Sequence, residues 1–335
     1  MLLLTNHRLR STNVTFPPGR VTFFIIDGLS SADDRKIILF VLLLLIYIII
    51  LGGNSLIIFL AVTDPKLRSP MYFFLGHLSF VDMIYTSTTI PHTLSGLLLD
   101  SQTLSVPICF MQMFFFIQLG ITTRSILTVM AYDRYLAICN PLRYTTIMTQ
   151  PVRRLLIAGS WGFSTFCTMP SATLTWTRPF CGPNMVQHFW CDISTLRRLM
   201  CINTRVDNIL ALTFALVALG TTGLLILTSY ILIGISVSKM GVAERWKAIG
   251  TCAAHLIVVT VSYTAASVVY ISYRVGNFSS QVRIIIAVVY AALTPCLNPM
   301  IYSLRNKELQ EAIRRMFGRL RASAVSSGKD VTTVS

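Results

Sequence analysis

Long apolar runs, separated by short clusters of charge, organise this chain. Seven of them are uncharged or nearly so and reach the roughly 20 residues that a helix needs to cross a bilayer. They cover residues 37–62, 70–94, 107–132, 155–174, 208–237, 248–273 and 284–304. Backbone groups in lipid find no water, so each run is expected to be a helix. The pattern predicts an all-α membrane protein with an N-terminal segment over 1–36, a seven-helix domain over 37–304 and a tail over 305–335. In the tail, Glu308, Glu311, Arg314, Arg315 and Arg319 alternate with Leu309, Ile313, Met316, Phe317 and Leu320. That is a short amphipathic helix fit to lie on a membrane surface.

Composition agrees with the pattern. The chain has 335 residues, 54% of them hydrophobic and only 12% charged. A soluble domain carries about 25% charge; this one has too little polar surface to cover itself in water. The apolar run at 1–4 is too short for a signal peptide, so the first span is expected to act as its own insertion signal.

A net charge of +15 raises the question of nucleic acid, and the distribution of the charge answers it. With the N-terminus outside, the exterior segments hold 11 Lys and Arg and the interior segments 16, seven of these between Arg305 and Lys329. Positive residues collect on the cytoplasmic side, so the chain is expected in the plasma membrane with its N-terminus extracellular and its tail cytoplasmic. The basic inner face suits anionic membrane lipid. Two glycosylation sequons, at Asn13 and Asn277, fall outside in this topology. Asn13 is far enough from the first span to be used; Asn277 lies close to the membrane and is not expected to be.

Four cysteines gather on the expected outer face: Cys109 at the top of the third span, and Cys181, Cys191 and Cys201 in the loop after the fourth. An oxidising exterior favours disulfides, but four cysteines allow three connectivities and spacing does not choose. No nucleophile–base pair, metal-ligand cluster or phosphate loop is visible, so neither an enzyme nor a cofactor is expected. His77, His92 and His255 stand alone within spans, where hydrogen bonds between helices are their simplest use. Seven spans without internal symmetry also argue against a transporter or channel.

The motifs are more specific. The third span ends Met130-Ala131-Tyr132-Asp133-Arg134-Tyr135, followed by Leu136-Ala137-Ile138-Cys139-Asn140-Pro141. Span one carries Gly53-Asn54-Ser55, and span two opens Pro70-Met71-Tyr72-Phe73-Phe74-Leu75. Span six opens Lys247-Ala248-Ile249-Gly250-Thr251-Cys252, and span seven ends Asn298-Pro299-Met300-Ile301-Tyr302-Ser303-Leu304-Arg305-Asn306. Asp-Arg-Tyr and Asn-Pro-x-x-Tyr resemble rhodopsin-like G-protein-coupled receptors. The longer strings, matching from about Gly53 to Leu309, resemble the olfactory (odorant) receptors, and the outer loop resembles their class II, tetrapod-type set.

The resemblance implies a receptor that binds a small volatile odorant in an outward-facing pocket. Its partner would be a heterotrimeric G protein with an olfactory, stimulatory α-subunit that raises cyclic AMP. A receptor of the same fold for a small lipid or peptide is the alternative. The resemblance also implies the disulfides Cys109–Cys191 and Cys181–Cys201. It makes Asp133, Arg134 and Tyr135, with Asn298, Pro299 and Tyr302, the switch that admits the G protein. Met113, Phe116, Ile117 and Gly120 share the face of Cys109 at helical spacing. With Ala266, Ser267 and Tyr270 of span six opposite, they are the candidate pocket lining. Arg274 at the mouth is placed to grip a carboxylate, although an arginine at a helix end more simply snorkels.

One departure matters. The family carries a Glu eleven residues before the Arg of Asp-Arg-Tyr; here that position is Thr123, followed by Arg124. A charge in mid-bilayer must face the bundle and find a partner. Asp82 in span two is the obvious one, so an Asp82–Arg124 ion pair is the expectation, with backbone carbonyls or water as the alternative partners.

Overall fold

The computed structural model of the protein describes residues 21–27, 33–99, 102–181, 184–274 and 278–318. Asn13, Asn277 and Arg319 lie outside them. The helices are α1 (Asp33–Thr63), α2 (Pro70–Ser87), α3 (Ile90–Leu98), α4 (Val106–Cys139), the short α5 (Tyr144–Ile147), α6 (Gln150–Thr177), the short α7 (Ile193–Arg197), α8 (Arg205–Ser238), α9 (Val242–Arg274), α10 (Ser280–Arg305) and α11 over residues 307–318. By length and composition α1, α4, α8, α9 and α10 are able to cross a membrane. The α2–α3 pair and α6 complete a seven-helix bundle. In it α4 is the central column, packed against α2, α6, α8 and α9. Leu42, Ile48, Phe166, Leu224 and Leu232 point outward and are exposed, as a lipid-facing surface requires.

The second run is not one helix. It breaks at Thr88 and Thr89, and α3 restarts with Pro91 in its first turn. Proline has no N–H and its ring clashes with the carbonyl four residues back, so a continuous helix is costly here. The carbonyl of Thr88 instead accepts from Gln112 Nε2 of α4 at 2.8 Å. Helix α6 is the most polar of the seven spans, and its hydroxyls are satisfied internally. Ser164 and Thr122 of α4 share a hydrogen bond of 2.7 Å, and Gln118 donates to Thr165 at 2.8 Å.

Span one is shaped by a proline in span seven. Pro299 lies inside α10 and leaves the carbonyl of Pro295 without its helical donor. Asn54 Nδ2 of α1 fills that gap at 3.1 Å. The neighbouring Gly53 lets the proline ring sit against α1: a Cβ there would fall 3.0 Å from both Cβ and Cγ of Pro299.

A small sheet caps the disulfide end, which the hydrophobic pattern does not announce. Strand β1 (Phe23–Ile26) pairs antiparallel with β2 (Gln102–Ser105) and parallel with β3 (Met185–Val186), in the order β2-β1-β3. Phe24 and Ile26 turn inward onto Cys109, Phe110, Met113 and Leu196. At the opposite end Asn306 Oδ1 accepts from the amides of Glu308 and Leu309 and starts α11. Leu309 and Ala312 pack into the core. Arg315 reaches Asp64 in the α1–α2 turn at 2.8 Å, so the amphipathic helix is docked on the bundle.

Replacing Asn54 with Ala orphans the Pro295 carbonyl and is expected to cost about 1–3 kcal/mol. Gly53→Val is expected to cost more by pushing α1 off α10. The melting temperature of detergent-solubilised receptor measures both, and an unchanged value for Asn54→Ala would discard this account of the α1–α10 contact.

Candidate ligand cavity and signalling end

Two disulfides hold the loop before α8 over the bundle. Cys109 is bonded to Cys191 and Cys181 to Cys201, with Cα separations of 5.4 and 5.0 Å. These are the pairings implied by the resemblance. Gln112 locks the first bond to the α2 break, because its Oε1 accepts from the Cys191 amide at 3.0 Å while its Nε2 serves Thr88. Beyond the disulfide, Asp192 caps α7 by accepting from the amides of Ser194 and Thr195. Arg197, at the end of α7, then turns into the bundle. It donates to Ser171 Oγ at 2.7 Å and to Asn208 Oδ1 at 3.4 Å. Burial lowers its pKa, and the charges of Asp207 and Asp192 partly restore it. Asp207 itself pairs with Arg178 at 3.1 Å.

Beneath this loop lies a cavity of about 330 Å³. Phe116, Ile117, Gly120, Ile121 and Arg124 of α4 form one wall, with Tyr85 and Tyr290 beside them. Thr168 and Ser171 of α6, Leu212 and Ala215 of α8, and Ala266, Val269 and Tyr270 of α9 form the others, and Asp192, Ser194 and Arg197 hang over it from the loop. Five of the eight residues expected from sequence line this space: Phe116, Ile117, Gly120, Ala266 and Tyr270. Met113 does not. It sits higher, sealed in the apolar cluster around the disulfide with Phe24 and Phe110. Ser267 does not either, for it lies on the exposed face of α9 and donates to the carbonyl of Tyr263 at 2.8 Å. The rotation of α9 about its axis decides this, and apolar periodicity does not resolve it when the lipid face is apolar too. The side chain of Arg274 lies outside the described residues. The walls from α6, α8 and the loop were not legible. Arg197 in particular reads in sequence as one more surface charge.

The expected Asp82–Arg124 ion pair is absent. Arg124 donates from Nη1 to the Gly120 carbonyl at 2.5 Å and from Nη2 to the Tyr290 hydroxyl at 2.6 Å. Asp82 accepts from Asn298 Nδ2 at 2.6 Å, with Thr123 Oγ1 at 3.5 Å on its other oxygen. Adjacent residues on a helix point about 100° apart. Thr123 therefore faces α2, while Arg124 turns toward the cavity and α10.

At the other end of α4, Asp133 is fully buried. Its Oδ2 accepts from Arg134 Nη2 and, at 3.2 Å, from Nε; its Oδ1 accepts from the Tyr144 hydroxyl at 2.7 Å. Burial and the Asp133 charge raise the Tyr144 pKa, so this hydroxyl stays protonated and donates. Tyr135 packs between α4 and α8, near Ile233 and Val237. His255 of α9 bridges two helices: Nε2 donates to the Leu127 carbonyl at 2.9 Å, and Nδ1 then accepts from Tyr230 of α8 at 2.7 Å. Tyr302, one turn beyond Pro299, is buried, and its hydroxyl has no hydrogen-bond partner among the described residues.

A seven-helix bundle with a broken second span, a proline-bent seventh and a docked eighth helix is the rhodopsin-like receptor architecture. Squid rhodopsin has the same fold, with a TM-score of 0.69 at 17% identity and 87% of each chain covered. The sequence profile of the olfactory receptor family matches residues 43–319. Human olfactory receptor 10J1 is 40% identical over 314 residues, 93% of this chain and 96% of its own length. Human olfactory receptor 6N1 is 41% identical over 268 residues, 79% of this chain and 86% of its own. Rat olfactory receptor 1f45 is 39% identical over 264 residues, 78% and 84% of the two chains. The chain belongs to the olfactory receptor family. It is an odorant receptor of the G-protein-coupled class, a multi-pass protein of the plasma membrane and not an enzyme.

Tyr144→Phe removes one of the donors that hold Asp133. A hydrogen bond to a charged group is worth about 1.5–3 kcal/mol, so this variant is expected to signal more in the absence of ligand. Basal cyclic AMP at matched surface expression measures it, and a basal level equal to the parent's would exclude a restraining role for Tyr144.

Proposed function

We propose that the cavity under the disulfide-tied loop is the odorant site, and that ligand binding there releases Arg134 at the far end of α4 to a G protein. The observation that carries this reading is the continuity of α4. One helix supplies both a wall of the cavity and the Asp133–Arg134 pair. The lining is mostly apolar with a few hydroxyls, which suits a small, volatile, poorly soluble molecule. Phe116 lines the cavity in the region of span three where an amine receptor needs a carboxylate, which disfavours a biogenic amine.

The orientation belongs to the same proposal. The disulfide end, with the N-terminus, is extracellular; the Arg134 end, with α11 and the tail over 305–335, is cytoplasmic. The excess of Lys and Arg at the Arg134 end supports this, as does the oxidised state of the cysteines at the other. In the active state α9 swings outward at its cytoplasmic end and Arg134 leaves Asp133. The bend at Asn298 and Pro299 carries Tyr302 inward, where its unpartnered hydroxyl gains a hydrogen bond. The α-subunit is of the stimulatory, olfactory type and the second messenger is cyclic AMP.

Cells carrying the receptor and the olfactory α-subunit, exposed to a panel of volatile ketones, alcohols, esters and acids, are expected to raise cyclic AMP. Arg134→Ala is expected to abolish the response at equal surface expression. A response that survives in Arg134→Ala refutes the switch. Separately, Asn13→Gln is expected to remove the glycan and increase gel mobility; an epitope at the N-terminus that is stained only after permeabilisation would reverse the assigned orientation.

A further inference from the structure

The cavity contains a cation with no counter-charge in contact with it among the described residues. Arg124 lines the cavity and is 7% exposed. It lies fifteen residues along α4 from Cys109, roughly 22 Å at the helical rise, and so marks the floor. A guanidinium carries five N–H groups. One goes to the Gly120 carbonyl and one to the Tyr290 hydroxyl, while Nε is buried with no partner. The Tyr290 hydroxyl accepts from it, and the Tyr290 ring centroid lies 5.9 Å from the guanidinium carbon. No carboxylate among the described residues lies within ion-pair distance, and Asp82 hydrogen-bonds Asn298 and Thr123 instead. Arg197, over the opposite end of the cavity, is different, because the charges of Asp207 and Asp192 act on it.

We propose that the cavity takes a small carboxylate with a short apolar chain, and that Arg124 receives the carboxylate at the cavity floor. This rests on the reading of the cavity as the ligand site. An unpaired buried cation is costly, and a carboxylate is the ligand group that removes the cost. The planar fork of Arg matches two carboxylate oxygens, and the Nε–H has no partner among the described residues. Ile117, Ile121, Leu212 and Ala215 surround the space above with apolar surface for the chain. A volume of about 330 Å³ sits at the low end of ligand sites, which limits the chain to a short one.

The test uses straight-chain acids from butanoic to decanoic, each beside its methyl ester and alcohol. The esters and alcohols keep the chain and remove the charge. Thermal stabilisation of purified full-length receptor reads binding, and cyclic AMP in cells reads signalling. The parent, Arg124→Gln and Arg124→Lys are compared at matched surface expression. Acids are expected to stabilise the parent where esters and alcohols do not. Arg124→Gln is expected to lose at least roughly thirtyfold in acid potency, the effect of removing one partner of a buried charge pair. Arg124→Lys keeps the charge without the fork and is expected to fall between. If Arg124→Gln does not fold, the parent's discrimination of acid from ester and the lysine variant decide. Equal stabilisation by acid and ester, or acid potency untouched in the Arg124 variants, overturns the carboxylate site and leaves the receptor reading intact. Arg124-dependent stabilisation by acids without cyclic AMP supports the site and refutes the assigned coupling.

Discussion

A bilayer offers no water to a carbonyl, and that constraint arranges most of this molecule. At two of the places where a proline interrupts a span, another helix supplies a donor. Asn54 of α1 serves the Pro295 carbonyl that Pro299 cannot reach, and Gln112 of α4 serves Thr88 at the break before Pro91. The polar residues of the spans are thus the fasteners of the bundle. His255 joins α4, α8 and α9 in the same way, through a backbone carbonyl on one nitrogen and a phenol on the other. Each fastener tolerates little substitution, since its loss strands a polar group where nothing else can satisfy it.

The same constraint distinguishes the two ends of α4. Near its Asn140 end the Asp133 carboxylate is saturated by Arg134 and Tyr144, so charge is neutralised within the protein. In the middle Arg124 has only neutral partners. One charge is held closed and the other is left open to a cavity. The open one faces the cavity; the closed one sits at the opposite end of the helix, where the proposed switch lies. A helix of fixed pitch connects them, and this rigidity lets an event at one end be felt at the other.

The loop before α8 matters more than a connection ordinarily does. Its two disulfides, the β1–β3 pairing and the aromatic contacts among Phe24, Phe110 and Phe180 make it a wall of the cavity. Asp192, Ser194 and Arg197 are positioned through these ties.

Seven membrane helices, an amphipathic eighth and the family were legible in the chain itself. Membrane length and apolar content are local properties, and short motifs such as Asp133-Arg134-Tyr135 keep their meaning wherever the helix sits. What only the tertiary structure decided was which way each helix is rotated and what comes to meet it. Lipid-facing and core-facing positions are both apolar, so periodicity does not separate Ser267 from Ala266, or Met113 from Ile117. Arg124 took Tyr290 and Gly120 over Asp82 because one helical step of about 100° sends it to a different neighbour from Thr123. Arg197, an apparent surface charge, became a buried donor because the disulfides on either side of it tie its loop to Cys109 and Cys181 and fold it inward. Contacts between distant segments carry no local signal, and they decide the chemistry of this cavity.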